Sequence, residues 1–435
     1  MTCVEGILFM AVIIPAGDKA ATKVYSPYLF KGVQSDLGFM KMNTGTPPKI
    51  SDQNQTAQSN SGAPIVVSTD LGKGIADTIR FSLVDIFEGN PIMGDENLQG
   101  KFMSTTQSHQ EVRIDQSRFA IESTKMTGFR TPHDLRKIGL DGLSAISARL
   151  ENQRCLVHMA GARGSQDLAD WAVPFHTSPK FKQIMVNPVL APTKNRHFFA
   201  GGKTKLSDLT ITDVLGLDDI GTLGAMLMES EIPMRSATFE ADMWAANKPL
   251  YILWVSRRQW ELIKRPTAAI DWNTAVTNAM KRYEGAKAHP LFTGEGIVWN
   301  GILVKPMDRY AIRFLPNDNV IVDDGGVDGK TYNEVFDTIP AISNNFHIDR
   351  AILVGASALM KAYGSGGSGA AQSWKYFETL GDHDNRLEQS MSVVEGASKI
   401  RFRMKGADTD FGVAVIDSYA PPMNSAEWNA AKKLP

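Results

Sequence analysis

The stretch HFFAGGKTK contains Gly202-Lys203-Thr204, the tail of a phosphate-binding loop, in which glycine amides cradle phosphate oxygens and a lysine neutralises them. The motif needs its first glycine at position 197, and His197 stands there, so the stretch reads as a basic surface loop. Asp323, Asp324, Asp328 and Glu334 offer the carboxylates of a calcium loop. Gly325 and Val327 occupy its third and fifth ligand positions, which leaves an Asp/Gly-rich turn capable of weak cation binding. The eight histidines include no His-Glu-x-x-His pair, and no Cys/His cluster has zinc spacing. Cys155 and His158 share one side of a helix, where a thiol is core material. There is no Gly-x-Ser-x-Gly elbow. Trp254, Trp260 and Trp272 read as core or interface anchors rather than a stacking platform for bases. No catalytic, cofactor-binding or metal-ligating residue is assigned, and the expectation shifts from an enzyme to a structural or binding role.

Two basic clusters remain. One is Arg257-Arg258 with Lys264-Arg265. In the other, Lys399, Arg401, Arg403 and Lys405 recur at every second position, so a strand displays all four on one face. Such a stripe either meets a polyanion, with binding that falls steeply with salt, or forms a solvated face or ion pairs to a neighbouring subunit.

These residues need elements to position them. At 435 residues the chain is long enough for two or three domains. Lys+Arg is 46 and Asp+Glu 47, so overall charge gives no attraction to nucleic acid. The two cysteines form no disulfide framework and suit a reducing compartment. The apolar opening VEGILFMAVIIPAG has no preceding Lys or Arg, so it reads as an N-terminal arm rather than a secretion signal; Met10 is an alternative start.

Residues 78–84 and 109–115 alternate like strands. Ile79, Phe81 and Leu83 share one face of the first; Val112 and Ile114 share one face of the second. Gly89, Pro91, Gly94 and Gly100 break regular structure between them, giving a long hairpin with a polar tip that includes Asp95 and Glu96. A lone two-stranded ribbon is marginal in water, so either the rest of the chain or another subunit covers it. A long helix follows over 132–160, about 43 Å at 1.5 Å per residue. Thr131 is its expected N-cap, with Pro132 first in the helix and Asp134 completing the box. Leu135, Leu143, Ile146, Leu150 and Val157 form its apolar stripe, Gly161 its stop. Gly139 and Gly142 permit a close neighbour. Further along, 250–256 reads as a buried strand, 257–264 and 267–285 as helices, and 296–306 as a hairpin about Asn300-Gly301. Residues 349–364 read as a strand followed by a helix or a turn of helix, 364–369 as a flexible loop, and 399–405 and 411–420 as strands.

The order of these segments resembles the major capsid proteins of short-tailed, schitovirus-type bacteriophages, which have the Hong Kong 97-type fold. It is carried by VSTDLGKGIADTIRFSLVDIFEGNPIMGDENLQG, VRIDQSRFAIE, the long helix, LYILWVSRRQWELIK, HPLFTGEGIVWNGILV and RAILVGASALMKAYG, spanning Thr69 to Phe402. The resemblance implies an α+β chain with an N-terminal arm (1–70), an extended loop (71–125), a peripheral domain with a spine helix (126–205), an axial domain (206–344) and return strands completing both domains (345–435). It implies that Ile79, Phe81, Leu83, Gly94, Asp95, Glu96, Gly100, Val112 and Ile114 lie between subunits. The spine helix is then marked by Thr131, Asp134, Leu135, Leu143, Ile146, Leu150 and Val157. It further implies hexamers and pentamers closing an icosahedral head, assembled in the host bacterial cytoplasm and becoming the virion shell. Partners are the chain itself, portal, scaffolding and decoration proteins, and packaged double-stranded DNA held by weak non-specific contact, with Lys399, Arg401, Arg403 and Lys405 as a candidate inner face. No cofactor, metal or membrane is implied. A cellular nanocompartment shell of the same fold is the first alternative, a multidomain cytoplasmic enzyme the second.

Overall fold

The computed structural model describes residues 11–12, 39–43, 62–71, 78–84, 93, 107–131, 134–239, 250–265, 269–285, 295–307, 309–323, 335–364, 375–404 and 406–434. The chain opens with β1 (Ala11–Val12), α1 (Phe39–Asn43) and β2 (Ile65–Leu71). The hairpin strands β3 (Thr78–Val84) and β4 (Gln107–Arg113) lead to β5 (Asp115–Thr124), α2 (Lys125–Arg130) and the long α3 (Leu135–Ala160). Next come α4 (Pro179–Met185), β6 (His197–Phe199), α5 (Leu217–Glu229), β7 (Tyr251–Val255), α6 (Arg257–Ile263) and α7 (Ala269–Gly285). Short strands follow: β8 (Ile297–Trp299), β9 (Ile302–Pro306), β10 (Ile312–Phe314), β11 (Asn319–Ile321) and β12 (Phe336–Thr338). The chain then runs through β13 (Ile348–Val354), β14 (Leu359–Gly364), β15 (Lys375–Gly381), β16 (Arg386–Lys399), β17 (Arg401–Met404), β18 (Ala407–Asp410), β19 (Val413–Tyr419) and α8 (Ala426–Ala431).

Two large sheets organise these elements. One runs β1-β5-β16-β14-β2, with β15 also paired to β16; the other runs β6-β19-β13-β7-β9-β8, with β10 paired to β13. In the second sheet every residue of β7, β13 and β19 is buried. The reason is visible in β7. Ile252 and Trp254 face a core shared with the end of α3, while Tyr251, Leu253 and Val255 face a core built from α5, α6 and α7. A strand covered on both faces reads as a continuous apolar run rather than an alternation. The expected strand at 250–256 and helices at 257–264 and 267–285 appear as β7, α6 and α7. Ser256 caps α6 by accepting from Gln259 N–H. Asn300 (φ 44°) and Gly301 (φ 80°) supply the left-handed turn joining β8 to β9.

Two expectations are corrected. Residues 359–364 form a strand, not a helix, because β14 is inserted between β16 and β2 with every residue buried. The second hairpin strand does not run through 115: it stops at Arg113, and β5 restarts in another sheet. The loop expected at 364–369 lies outside the described residues apart from Gly364, but β15 and the fourteen-residue β16 that follow were not foreseen, and β16 is central to the first sheet. Among the described residues no helix is long and apolar enough to cross a membrane.

Candidate assembly site: hairpin root and spine helix

Strands β3 and β4 pair in an unbroken antiparallel register, from Thr78 opposite Arg113 to Val84 opposite Gln107. Arg80 and Glu111 form an exposed ion pair across the two strands. The ribbon leaves the sheet where its backbone crosses β16. A Cβ on Gly396 would lie 2.0 Å from the Arg113 carbonyl oxygen and 3.2 Å from Ile114 Cα, so glycine is needed for this approach. Asn187 secures the crossing as a strand residue would. Its Oδ1 accepts from Arg113 N–H at 2.8 Å, and its Nδ2 donates to Arg113 O at 2.8 Å and Ala397 O at 3.0 Å.

Beyond the crossing, β4 tracks toward β17. Gln110 Oε1 accepts from Arg401 N–H at 2.6 Å, and its Nε2 donates to Lys399 O at 2.6 Å. Ser108 Oγ donates to Arg403 O at 2.6 Å. Val112, 1% exposed, packs in a cluster with Val66, Met360, Ala362, Ile400, Phe402 and Met404, and Ile114 packs against it. Val112, expected between subunits, is therefore covered by its own chain, and Ile114 packs half-buried against the same cluster: the hairpin root is tethered at home. Gly94, Asp95, Glu96 and Gly100 lie outside the described residues, as do the side chains of Ile79, Phe81 and Leu83.

The spine helix α3 begins one turn later than expected. Asp134, not Thr131, is the N-cap, accepting from the N–H groups of Arg136 at 3.0 Å and Lys137 at 3.3 Å. Thr131 instead closes α2, a short helix opened by Thr124. Gly161 (φ 69°) ends the helix with its N–H on Val157 O, as expected. Leu143, Leu150 and Val157 are buried and Leu135 is half-buried. Ile146 is 36% exposed, because the buried line of the first turns passes through Gly139, Leu143, Ser147 and Leu150 and leaves it on the flank. Gly139 does sit against a neighbour: its Cβ would fall 2.1 Å from Gln389 Oε1 on β16. Gly142 faces open space.

A buried ionic cluster joins this helix to the sheet. Arg154 donates to Glu395 at 2.6 Å and to Ser117 Oγ at 2.8 Å; Lys361 pairs with Glu395 at 3.1 Å and with Glu151, which Tyr363 also contacts. Two acids balance two bases. Burial opposes ionisation of Glu395, yet Lys361 and Arg154 hold its carboxyl below the usual range. Such a cluster is poor at adding stability but costly to break, so it favours one seating of helix on sheet.

The expected basic stripe is not a free face. Lys399 is buried, with Nζ 2.7 Å from Asp410 Oδ2. Arg401 reaches Asp410 Oδ1 at 2.8 Å, Arg403 is exposed, and Lys405 lies outside the described residues. In the other basic cluster, Arg258 bonds His347 at 2.9 Å, Arg265 is buried beside Asp219, and Arg257 and Lys264 pair with Glu295 and Glu261. Next to the Gly202-Lys203-Thr204 stretch, the Gly201 N–H donates to Asp219. Burial pushes the Cys155 thiol up to about 12, and His158 beside it is buried as well. Trp254 is core, and Trp260 stacks edge-on against Trp272. Among the described residues no group of His, Cys, Asp and Glu could hold a metal ion. The geometry is that of a scaffold that holds β4 of the ribbon to its own chain from Val112 to Ser108.

Residues 14–422 match the profile of the family described as phage capsid protein. The chain belongs to that family. As a phage major capsid protein it is a structural component of the virion shell. Solved structures agree on the fold. The capsid of Ralstonia phage GP4 matches with a TM-score of 0.72 at 22% identity, over 95% of this chain and 99% of that one. The capsid of cyanophage Pam1 matches at 0.60 and 15% identity, over 94% and 98%. The acid-stable capsid of Helicobacter pylori bacteriophage KHP30 matches at 0.52 and 12% identity, over 92% and 99%. No curated protein matches the sequence. The α+β architecture is thus the Hong Kong 97-type capsid fold.

Proposed function

We propose that this capsid protein assembles into hexamers and pentamers that close an icosahedral head around double-stranded DNA. The observation that supports the reading, beside the family match, is the hairpin: β4 is locked to its own chain by Asn187, Val112, Gln110 and Ser108, which fixes the line along which β3 and β4 run past the crossing at Gly396. A ribbon built this way reaches a neighbouring subunit, where Ile79, Phe81, Leu83 and the tip at Gly94, Asp95, Glu96 and Gly100 make contact. In this reading α3 and the β5-β16-β14 sheet form the peripheral domain, and the sheet around β13 the axial domain. Portal, scaffolding and decoration proteins complete the head in the host bacterial cytoplasm. DNA is confined with little specific contact, in keeping with a net charge of -1.

The test is negative-stain microscopy of purified protein beside a deletion of Phe87 to Met103. Intact protein is expected to form closed isometric particles, and the deletion to stay folded, soluble and unassembled. Normal particles from the deletion would count against the role given to the hairpin.

A further inference from the structure

A cavity of about 770 Å³ opens between the loop that follows α3, the helix α4 and the turn joining β10 to β11. Its volume is in the range of small-molecule sites. Phe181, Met185, Phe314 and Val320 give it a buried apolar floor.

Arg163 lines the same cavity and is 2% exposed. Its guanidinium lies over the Trp171 ring at 3.6 Å and near the Phe175 ring at 4.9 Å. Nε donates to Val173 O at 3.0 Å, and Nη1 to Gln166 O at 2.8 Å and Gly164 O at 3.4 Å. Among the described residues Nη2 has no partner and no carboxylate pairs with the group; Asp167 draws on it only through space. A buried charge in this state is costly, and an anion set against Nη2 completes it.

The rest of the lining agrees in sign. Lys182 and His176 stand exposed at the rim. Among the described lining residues the one carboxylate is Asp318, and it is already engaged: Oδ2 accepts from Leu315 N–H at 2.6 Å and from Ser165 Oγ. Arg163 and Lys182 therefore outweigh it. One wall is also strained. Val186, with φ 64° and ψ −56°, is the centre of a γ-turn closed by Asn187 N–H on Met185 O at 2.7 Å. A β-branched residue is rarely held in this conformation, and such strain collects at ligand clamps.

We propose that this cavity is a binding site for an apolar group ending in a carboxylate, whose body lies on Phe181, Met185 and Phe314 while the carboxylate pairs with Arg163 and is drawn in by Lys182. That chemistry has two sources, a free fatty-acid-like carboxylate and the C-terminal end of a polypeptide. The site is built within one subunit, so it stands apart from the shell reading.

The experiment is isothermal titration calorimetry on unassembled full-length subunits. The probes are decanoate below its micellar concentration, decanol, and acetyl-Leu-Phe with a free or an amidated C-terminus. At least one carboxylate is expected to bind at one site per subunit, about ten-fold tighter than its neutral counterpart. Decanoate alone names the free carboxylate as the source, the peptide acid alone names the chain end, and both together assign the cavity to the shared chemistry. Lys182→Glu, on the exposed rim, is expected to leave the unfolding midpoint unchanged and to weaken that binding about five-fold. Arg163→Lys keeps the charge but loses the planar fork, and is expected to weaken it further. Carboxylates that do not bind, that bind no tighter than their neutral counterparts, or that bind Lys182→Glu as tightly as wild type overturn the assignment.

Discussion

Gly396 and Asn187 decide where the hairpin leaves the sheet. The three atoms nearest a Cβ on Gly396 all belong to backbone, at Arg113 and Ile114, so none moves without displacing the ribbon. Gly396→Val is expected to destabilise the subunit by about 3 kcal/mol, read by denaturant unfolding, and to make 107–114 sensitive to protease. A second residue-scale effect is titration. Burial pushes His158 down from 6.5 to about 3, with the nearby Arg154 and Lys399 charges adding and the contact with Met185 O opposing. The unfolded chain takes up a proton near 6.5 that the folded one refuses until about 3. This contribution is therefore intact above 6.5 and lost as pH falls, by about 2 kcal/mol at pH 5. His158→Gln is expected to flatten the unfolding midpoint between pH 6.5 and 4; an unchanged slope would assign the effect elsewhere. Neither residue was legible beforehand. A glycine in a strand signals close approach of something, but nothing in the local pattern says that Arg113 crosses there, and Asn187 carries no signature at all.

At the scale of elements, period and capping signals carried most of the fold. β7, α6, α7, the β8–β9 turn and the long helix all followed from apolar patterning and turn residues. Failures have physical causes. Thr131 and Asp134 are both good N-caps, and the choice between them is made by α2, which uses Thr131 as its end. β14 is apolar and short, so period alone does not separate strand from helix. β16 was missed because its buried positions include Gln389, Glu395 and Lys399, whose partners come from α3, β14 and β18. The helix stripe yields a discriminating pair of substitutions. Leu150→Asp places a charge in a site 5% exposed and is expected to cost several kcal/mol. Ile146→Asp, on the flank, is expected to cost under about 1 kcal/mol in the free subunit. Urea unfolding of unassembled protein compares them, and equal losses would show that the stripe is wider than the buried line.

For the whole molecule, the family was legible in the order of segments, while the division of labour among charges was not. Lys399 and Arg401 pair with Asp410, so under the proposed function contact with DNA falls to exposed groups such as Arg403. Arg403→Glu is expected to weaken duplex binding by opened shells without altering subunit stability, and Arg401→Glu to destabilise the subunit first. Salt titration of both variants, with wild type as reference, separates these outcomes. The central claim is that a ribbon anchored on one subunit is completed by another. Electron cryomicroscopy of particles assembled from the purified chain tests it most directly. The account predicts icosahedral shells in which each hairpin, continuous with its root at Gly396, lies across an adjacent copy; open aggregates, or hairpins folded back on their own subunit, would contradict it.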